Sequence, residues 1–168
     1  IWLANYPIGI TVQNNRYSSY KWIKHSIGNR QSLINDQVNS IIEDSDGDLW
    51  FGTNNGISLL NSKTGQWRSF LSSFEKNQDS RSHIFTTLCE VLPGVVWAGG
   101  YFSGIYQIDK RSSNVSYFTP ASYAYENIRP DKYIRDIRKD SQGNIWSGGF
   151  YNLKRINVHT KNIQLYHG

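Results

Sequence analysis

A thirteen-residue pattern returns three times at a period of about 48 residues, and this repetition constrains the fold more than any other feature. Residues 38–50 (VNSIIEDSDGDLW) align without a gap on 85–97 (FTTLCEVLPGVVW) and on 134–146 (IRDIRKDSQGNIW). In each copy a glycine stands three residues before a tryptophan: Gly47 and Trp50, Gly94 and Trp97, Gly143 and Trp146. A fourth copy is cut off at the start, where Ile1-Trp2 survives. The residues before each glycine are short, apolar and β-prone, and read as a strand. The glycine supplies positive φ in a tight turn, and the tryptophan lies in the second strand. After a variable turn, a Gly-apolar pair opens a third strand at Gly9-Ile10, Gly56-Ile57 and Gly104-Ile105. In the last copy Asn152-Leu153 stands there, and Asn tolerates the same backbone. Asn14, Asn61, Asp109 and Asn157 end the third strands, and six residues later Tyr20, Trp67, Val115 and Ile163 open the fourth.

Four short antiparallel strands per unit describe a β-propeller blade, so the chain is expected to be all-β. No stretch keeps a helical period. About 3.75 blades are present: a partial blade at 1–24, then blades at 38–71, 85–119 and 134–168. Propellers close with about 4 to 8 blades. The set is therefore an arc or part of a larger ring of 7–8 blades. Two such arcs could also close on each other, and the terminal blades invite association. The lone Cys89 excludes a disulfide framework within the chain and reads as a buried, inert thiol. There is no signal peptide or transmembrane run.

The net charge is +5, which raises nucleic acid as a partner. The blade-to-blade loops, however, hold five basic residues (Arg30, Lys76, Arg81, Arg129, Lys132) and five acidic ones (Asp36, Glu75, Asp79, Glu126, Asp131). The excess falls on third and fourth strands and their turns, at Lys21, Lys24, Lys63, Lys110, Arg111, Lys154, Arg155 and Lys161. That distribution reads as a solvated rim and not as a nucleic-acid surface. Blade topology puts the first-to-second and third-to-fourth turns on one face. Their residues (DSDG, DSQG, NSKTG, NVHTK) are explained by turn chemistry alone. The opposite face carries the variable turns and long loops, including Arg30, His83, Tyr123 and Tyr125. The candidate ligand contacts there are Tyr6, Asn55, Arg81, Tyr101, Phe102, Arg129, Phe150 and Tyr151. Aromatic rings beside Asn and Arg donors suit sugars, whose C–H faces stack while their hydroxyls take hydrogen bonds. The same aromatics would also serve packing between blades or against another domain.

Catalytic and metal patterns are absent. Residues 44–48 (DSDGD) lack the glycine position and terminal Glu of an EF-hand loop, and other blades do not repeat the acidic set. Ser45 and Ser141 occupy the aspartate position of a sialidase Asp box, with Leu49 and Ile145 at its threonine, which excludes that motif. His25, His83, His159 and His167 have no ligand spacing. No cofactor or metal is expected. Asn114-Val115-Ser116 matches a glycosylation sequon, a short pattern that matters only in a eukaryotic secretory setting.

Residues 38–70 closely resemble the two-component-regulator propeller repeat. Asp44, Gly47, Leu49-Trp50, Gly52-Thr53, Gly56-Ile57, Thr64-Gly65 and Trp67 carry the match. The last copy fits through Asp140, Gly143, Ile145-Trp146 and Gly148, and the third departs with Val91 in place of Asp. The resemblance implies the periplasmic sensor region of a hybrid two-component system, in which tandem propellers precede a further β-domain, a membrane helix and a histidine kinase. It implies an oligosaccharide ligand, the remaining sensor domains of the same chain as partners and a homodimer. It also implies no catalysis, and no direct membrane insertion, by this segment. Its motif residues are scaffold, so none carries over as a functional residue. Two alternatives stand beside it. One is a propeller enzyme similar to streptogramin lyases, which would need a base and a metal site built with His and Glu. The other is a protein-interaction or dimerisation scaffold.

Overall fold

A computed structural model of the chain describes residues 2–5, 9–13, 20–72, 83–118 and 132–166. It is all-β, with four antiparallel sheets whose strands follow chain order. Blade 1 has β1 (Trp2–Asn5), β2 (Gly9–Gln13) and β3 (Tyr20–Ile23). Blade 2 has β4 (Val38–Glu43), β5 (Leu49–Thr53), β6 (Gly56–Leu60) and β7 (Trp67–Phe70). Blade 3 has β8 (Ile84–Leu92), β9 (Val95–Tyr101), β10 (Gly104–Asp109) and β11 (Val115–Tyr117). Blade 4 has β12 (Ile134–Lys139), β13 (Ile145–Gly149), β14 (Leu153–Ile156) and β15 (Ile163–Tyr166).

The turn chemistry follows the repeat. Gly47, Gly94 and Gly143 have φ of 83°, 78° and 82°, the left-handed conformation that a side chain would strain. Asn152, in the place of the third-strand glycine, does not adopt positive φ, so its backbone differs from that at Gly56 and Gly104. Asn61, Asp109 and Asn157 follow or end the third strands because their Oδ1 atoms accept backbone N–H groups two and three residues on. The donors are Lys63 and Thr64, Arg111 and Ser112, and His159 and Thr160.

Alternation along each strand sends side chains to both neighbouring blades. Trp50 packs with Ile57, Leu59 and Phe70 against Phe85, Leu88, Val96 and Ile108 of blade 3. Trp97, Ile105 and Phe118 in turn pack against Ile134, Ile137, Ile145 and Ile156 of blade 4. Leu49 and Phe51, on the other side of β5, meet Ile10 and Val38. A strand covered on both sides is buried throughout, as β5 is; β13 is only partly buried, because among the described residues no blade stands against its Trp146 side.

The first strand of each complete blade carries a register shift at the same place: after Val38, Phe85 and Ile134. In two of them the bulged residue reaches the next blade. Asn39 Nδ2 donates to the Phe85 carbonyl at 3.1 Å, and Thr86 Oγ1 donates to the Ile134 carbonyl at 2.8 Å.

Candidate functional site

Four of the eight candidate residues come together. Tyr101 ends β9, Phe102 follows it with φ of 60°, and Phe150 and Tyr151 form the turn between β13 and β14. Tyr133, just before β12, joins the two groups. Its ring lies 4.8 Å from Tyr101, 4.2 Å from Phe102 and 4.8 Å from Phe150, centroid to centroid. Tyr101 meets Phe102 edge-on at 4.9 Å, and Phe150 meets Tyr151 at 6.5 Å. The result is an aromatic ledge across the rim of blades 3 and 4. The Gly104 N–H, which donates to the Lys132 carbonyl at 3.0 Å, ties the blade 3 turn to the chain entering β12.

The ledge is not closed on itself. Tyr101 is 45% exposed, Phe150 53% and Tyr151 71%, well beyond what packing between blades leaves open. The Arg135 guanidinium lies 4.7 Å from the Phe150 ring centre and covers one of its faces by cation–π contact. Tyr101 and Tyr151 are thus the rings best placed to stack on a ligand, each with a phenolic hydroxyl beside its apolar face.

Of the other candidates, only Asn55 falls among the described residues. Asn55 is in the β5–β6 turn, where its backbone N–H donates to Thr53 Oγ1 at 3.1 Å, away from the ledge contacts. Tyr6, Arg81 and Arg129 lie outside the described residues, as do Tyr123 and Tyr125. His83 is buried, with Nδ1 2.9 Å from the Leu71 carbonyl, and is no surface donor. Tyr133 and Arg135 are the members that sequence reasoning missed. The signal was there: an aromatic directly before the first strand of the blade whose turn supplies Phe150 and Tyr151.

The face assigned to turn chemistry alone holds a second polar construction, which corrects that reading. Lys110 is buried, not part of a solvated rim. From the β10–β11 turn its ammonium reaches across to the β4–β5 turn of blade 2. There it meets Asp44 Oδ2 at 2.7 Å, Asp46 Oδ2 at 2.8 Å and Asp48 Oδ2 at 2.8 Å. Burial alone would raise the pKa of Asp44. Lys110, the Trp50 indole N–H and the Asp48 backbone outweigh it and hold the carboxyl below its usual value. Asp48 is likewise held down against its burial by Lys110 and Ser62. Lys110 itself is driven well above the ordinary lysine value despite burial, by the same three carboxylates. Glu90 of blade 3 locks the turn further, accepting from the Ser45 N–H at 2.8 Å and from its hydroxyl at 2.9 Å. The convergent acidic set is therefore partly balanced by an ammonium at its centre. Among the described residues no group of His, Cys, Asp and Glu is arranged to hold a metal.

The repeat aspartate has a clear task. Asp44 Oδ2 accepts the Trp50 indole N–H at 2.8 Å, and Asp140 Oδ2 accepts that of Trp146 at 2.9 Å. Where Val91 replaces it, the buried Trp97 Nε1 has no hydrogen-bond partner. The Trp146 indole and Asn144 hold the Asp140 carboxyl down to about 2. A depressed carboxylate contributes stability that is complete above the unfolded value near 3.8 and lost as pH falls towards 2. The melting temperature is expected to fall across that window, and Asp140→Asn should flatten part of the fall; an unchanged acid limb in the variant would refute this role.

Comparison with known proteins places the repeat. The model of the family described as two component regulator propeller matches residues 32–55 and 128–151, each spanning a turn glycine and its tryptophan, or the strand leading to them. A histidine kinase, P4, of Formosa agariphila is 31% identical over 90 residues, which cover 52% of this chain and 7% of the kinase. The solved extracellular domain of a hybrid two component system from B. thetaiotaomicron superposes with a TM-score of 0.78 at 23% identity, over 99% of this chain and 22% of that one. A second such domain from the same organism gives 0.69 at 19% identity, over 98% and 23%. The chain thus spans less than a quarter of those domains and a small fraction of the kinase. Within the chain, residues 32–55 of blade 2 and 128–151 leading into blade 4 match the two component regulator propeller repeat.

Proposed function

We propose that these blades form part of the extracytoplasmic, periplasmic ligand-sensing region of a two-component sensor kinase, and that the ligand is an oligosaccharide seated on the ledge of Tyr101, Tyr133, Phe150 and Tyr151. The observation that carries the reading is the exposure of Tyr101, Phe150 and Tyr151 around the half-buried Tyr133 at the variable-loop rim. The repeat family and the likeness to a histidine kinase support the signalling setting. Tyr101 and Tyr151 stack on sugar C–H faces, and their hydroxyls exchange hydrogen bonds with sugar hydroxyls. Arg135 holds Phe150 in place. Binding would bias one arrangement of a sensor homodimer over another, and the segment itself would catalyse nothing.

A thermal-shift screen against neutral and acidic oligosaccharides tests this reading. A ligand that binds only the folded state raises the melting temperature by mass action. The expected result is a sugar-specific rise that Tyr151→Ala and Tyr101→Ala abolish while leaving the unliganded melting temperature nearly unchanged. A rise that survives both substitutions would move the site off the ledge. No rise with any sugar would refute the sugar reading and favour a protein-interaction surface.

A further inference from the structure

Blade 2 repeats the rim construction of blade 4 in a different chemistry. Residues 38–50 and 134–146 align without a gap, so Gln37 and Asn39 stand where blade 4 has Tyr133 and Arg135. Counted on from Gly52 and Gly148, Asn54 and Asn55 stand where blade 4 has Phe150 and Tyr151. The contacts repeat with the positions. Tyr133 packs on Phe150 in blade 4, and in blade 2 Asn54 Nδ2 donates to Gln37 Oε1. Arg135 lies over Phe150 at 4.7 Å, and Asn39 Nδ2 donates to Asn54 Oδ1 at 2.8 Å. Carboxamides on one blade thus replace the rings and the guanidinium of the other, with the same pairs touching.

The carboxamides are fixed by backbone bonds. The Gln37 N–H donates to Asn35 Oδ1 at 2.8 Å, and the Asn54 N–H donates to the Gln37 carbonyl at 3.1 Å. Buried Thr53 Oγ1 donates to the Gly56 carbonyl at 2.8 Å and accepts the Asn55 N–H at 3.1 Å, which sets the turn. Gln37 and Asn54 are half-buried and Asn39 is exposed, so the set opens to solvent. A carboxamide carries two N–H donors and an acceptor oxygen. Among the described residues the Gln37 Nε2 donors and the Asn39 Oδ1 acceptor make no protein hydrogen bond, and they flank Asn54. A donor and an acceptor around one point match a sugar hydroxyl, which both gives and takes a hydrogen bond. The ionisable side chain among residues 35–39 and 54–55 is Asp36, whose Oδ1 accepts the His25 N–H at 2.6 Å. An anion there opposes a carboxylate or sulfate on the ligand.

This set is continuous with the aromatic ledge. Asn39 Nδ2 also donates to the Phe85 carbonyl at 3.1 Å, and Phe85 is the strand partner of Gly100, the residue before Tyr101. Resting on the reading that the ledge seats an oligosaccharide, we propose that Gln37, Asn39 and Asn54 form a second station for the same ligand. The rings of blades 3 and 4 stack on one sugar unit, and the carboxamides of blade 2 bind the hydroxyls of an uncharged unit farther along the saccharide. Packed sheets stand about 10 Å apart, so a ligand that touches both stations has more than one sugar ring.

Titration calorimetry on the intact polypeptide tests the proposal. The probes are gluco-, xylo- and galacto-oligosaccharides of increasing length and oligogalacturonides of the same lengths. In the wild type, affinity for a neutral series is expected to step up about tenfold once the oligomer reaches blade 2, the worth of one or two hydrogen bonds. Gln37→Met and Asn39→Ala should each erase that step while the shorter oligomer binds as before, which also shows that the variants are folded. Tyr151→Ala should weaken short and long oligomers alike. Oligogalacturonides should bind without the step. No step in the wild type, or a step that survives both blade 2 substitutions, would overturn the second station and leave the ledge reading standing. An equal step with oligogalacturonides would refute the uncharged unit. No binding of any sugar to the wild type would refute the ledge reading and the second station together.

Discussion

Replacing Trp50 by alanine is expected to destabilise the protein by about 3–5 kcal/mol, the range for truncating a fully buried aromatic. The side chain has no exposed surface and stacks on Phe70 at 5.5 Å inside the seam between blades 2 and 3. Its loss opens a cavity with blade 2 on one side and Phe85, Leu88 and Ile108 on the other, so neither blade alone can collapse into it. It also removes the indole donor from Asp44. Trp146→Ala provides the internal control. That side chain is only partly buried, with Tyr166 as its ring neighbour, and its removal should cost clearly less. Denaturant melts measure both. Equal losses, or a loss below about 1 kcal/mol for Trp50, would contradict the assignment of this side chain to the interior of the seam.

Lys110→Met is expected to cost about 3 kcal/mol at neutral pH, as for removing one partner of a buried ion pair. Asp44 and Asp48 would be left buried without their counter-charge; Asp46, 61% exposed at its side chain, keeps its hydration and adds little. The pH dependence separates this from a packing effect. In the wild type both buried carboxyls are held below 3.8, so their contribution is complete above that value and lost as pH falls through the lowered ones. In the variant, only the hydrogen bonds from Trp50, Ser62 and the Asp48 backbone still oppose burial, so the carboxyls take up protons earlier than in the wild type and the penalty is relieved on acidification. The stability gap between the two proteins should narrow below about pH 4. Asp44→Asn with Asp48→Asn should also recover part of the loss in the Met background. A gap independent of pH would mean that Lys110 acts through its aliphatic stem.

The blade architecture was legible because each of its signals is local. Gly47, Gly94 and Gly143 mark turns by a backbone conformation, and Asn61, Asp109 and Asn157 mark them by a side chain that bonds two or three residues away. Trp50 and Trp97 recur because each blade buries one large ring in the seam ahead of it. The Lys110 clamp was not legible in that way. Its partners lie more than 60 residues earlier, and a lysine beside a turn is usually solvated. The clue was three alternate aspartates with no cation nearby in sequence. The ledge stood between these cases. Tyr101, Phe102, Phe150 and Tyr151 were visible as variable turns of adjacent blades, but only the packing of two sheets brings Tyr133 between them.

The unlike joints between blades also limit how such a chain can change in length. Unequal recombination adds or deletes whole repeats. Here it would set the Val158 turn on the Asp44, Asp46 and Asp48 carboxylates, or Lys110 on the aliphatic cluster around Val91. The first junction leaves carboxylates buried with no cation, and the second drives an ammonium into an aliphatic pocket. Neighbouring repeats are therefore not interchangeable, despite sharing the same turn glycine and the same tryptophan. A duplicated unit can persist only if its third-to-fourth turn and the preceding blade's surface that the turn meets change together, so the order of blades is inherited as a set of matched pairs.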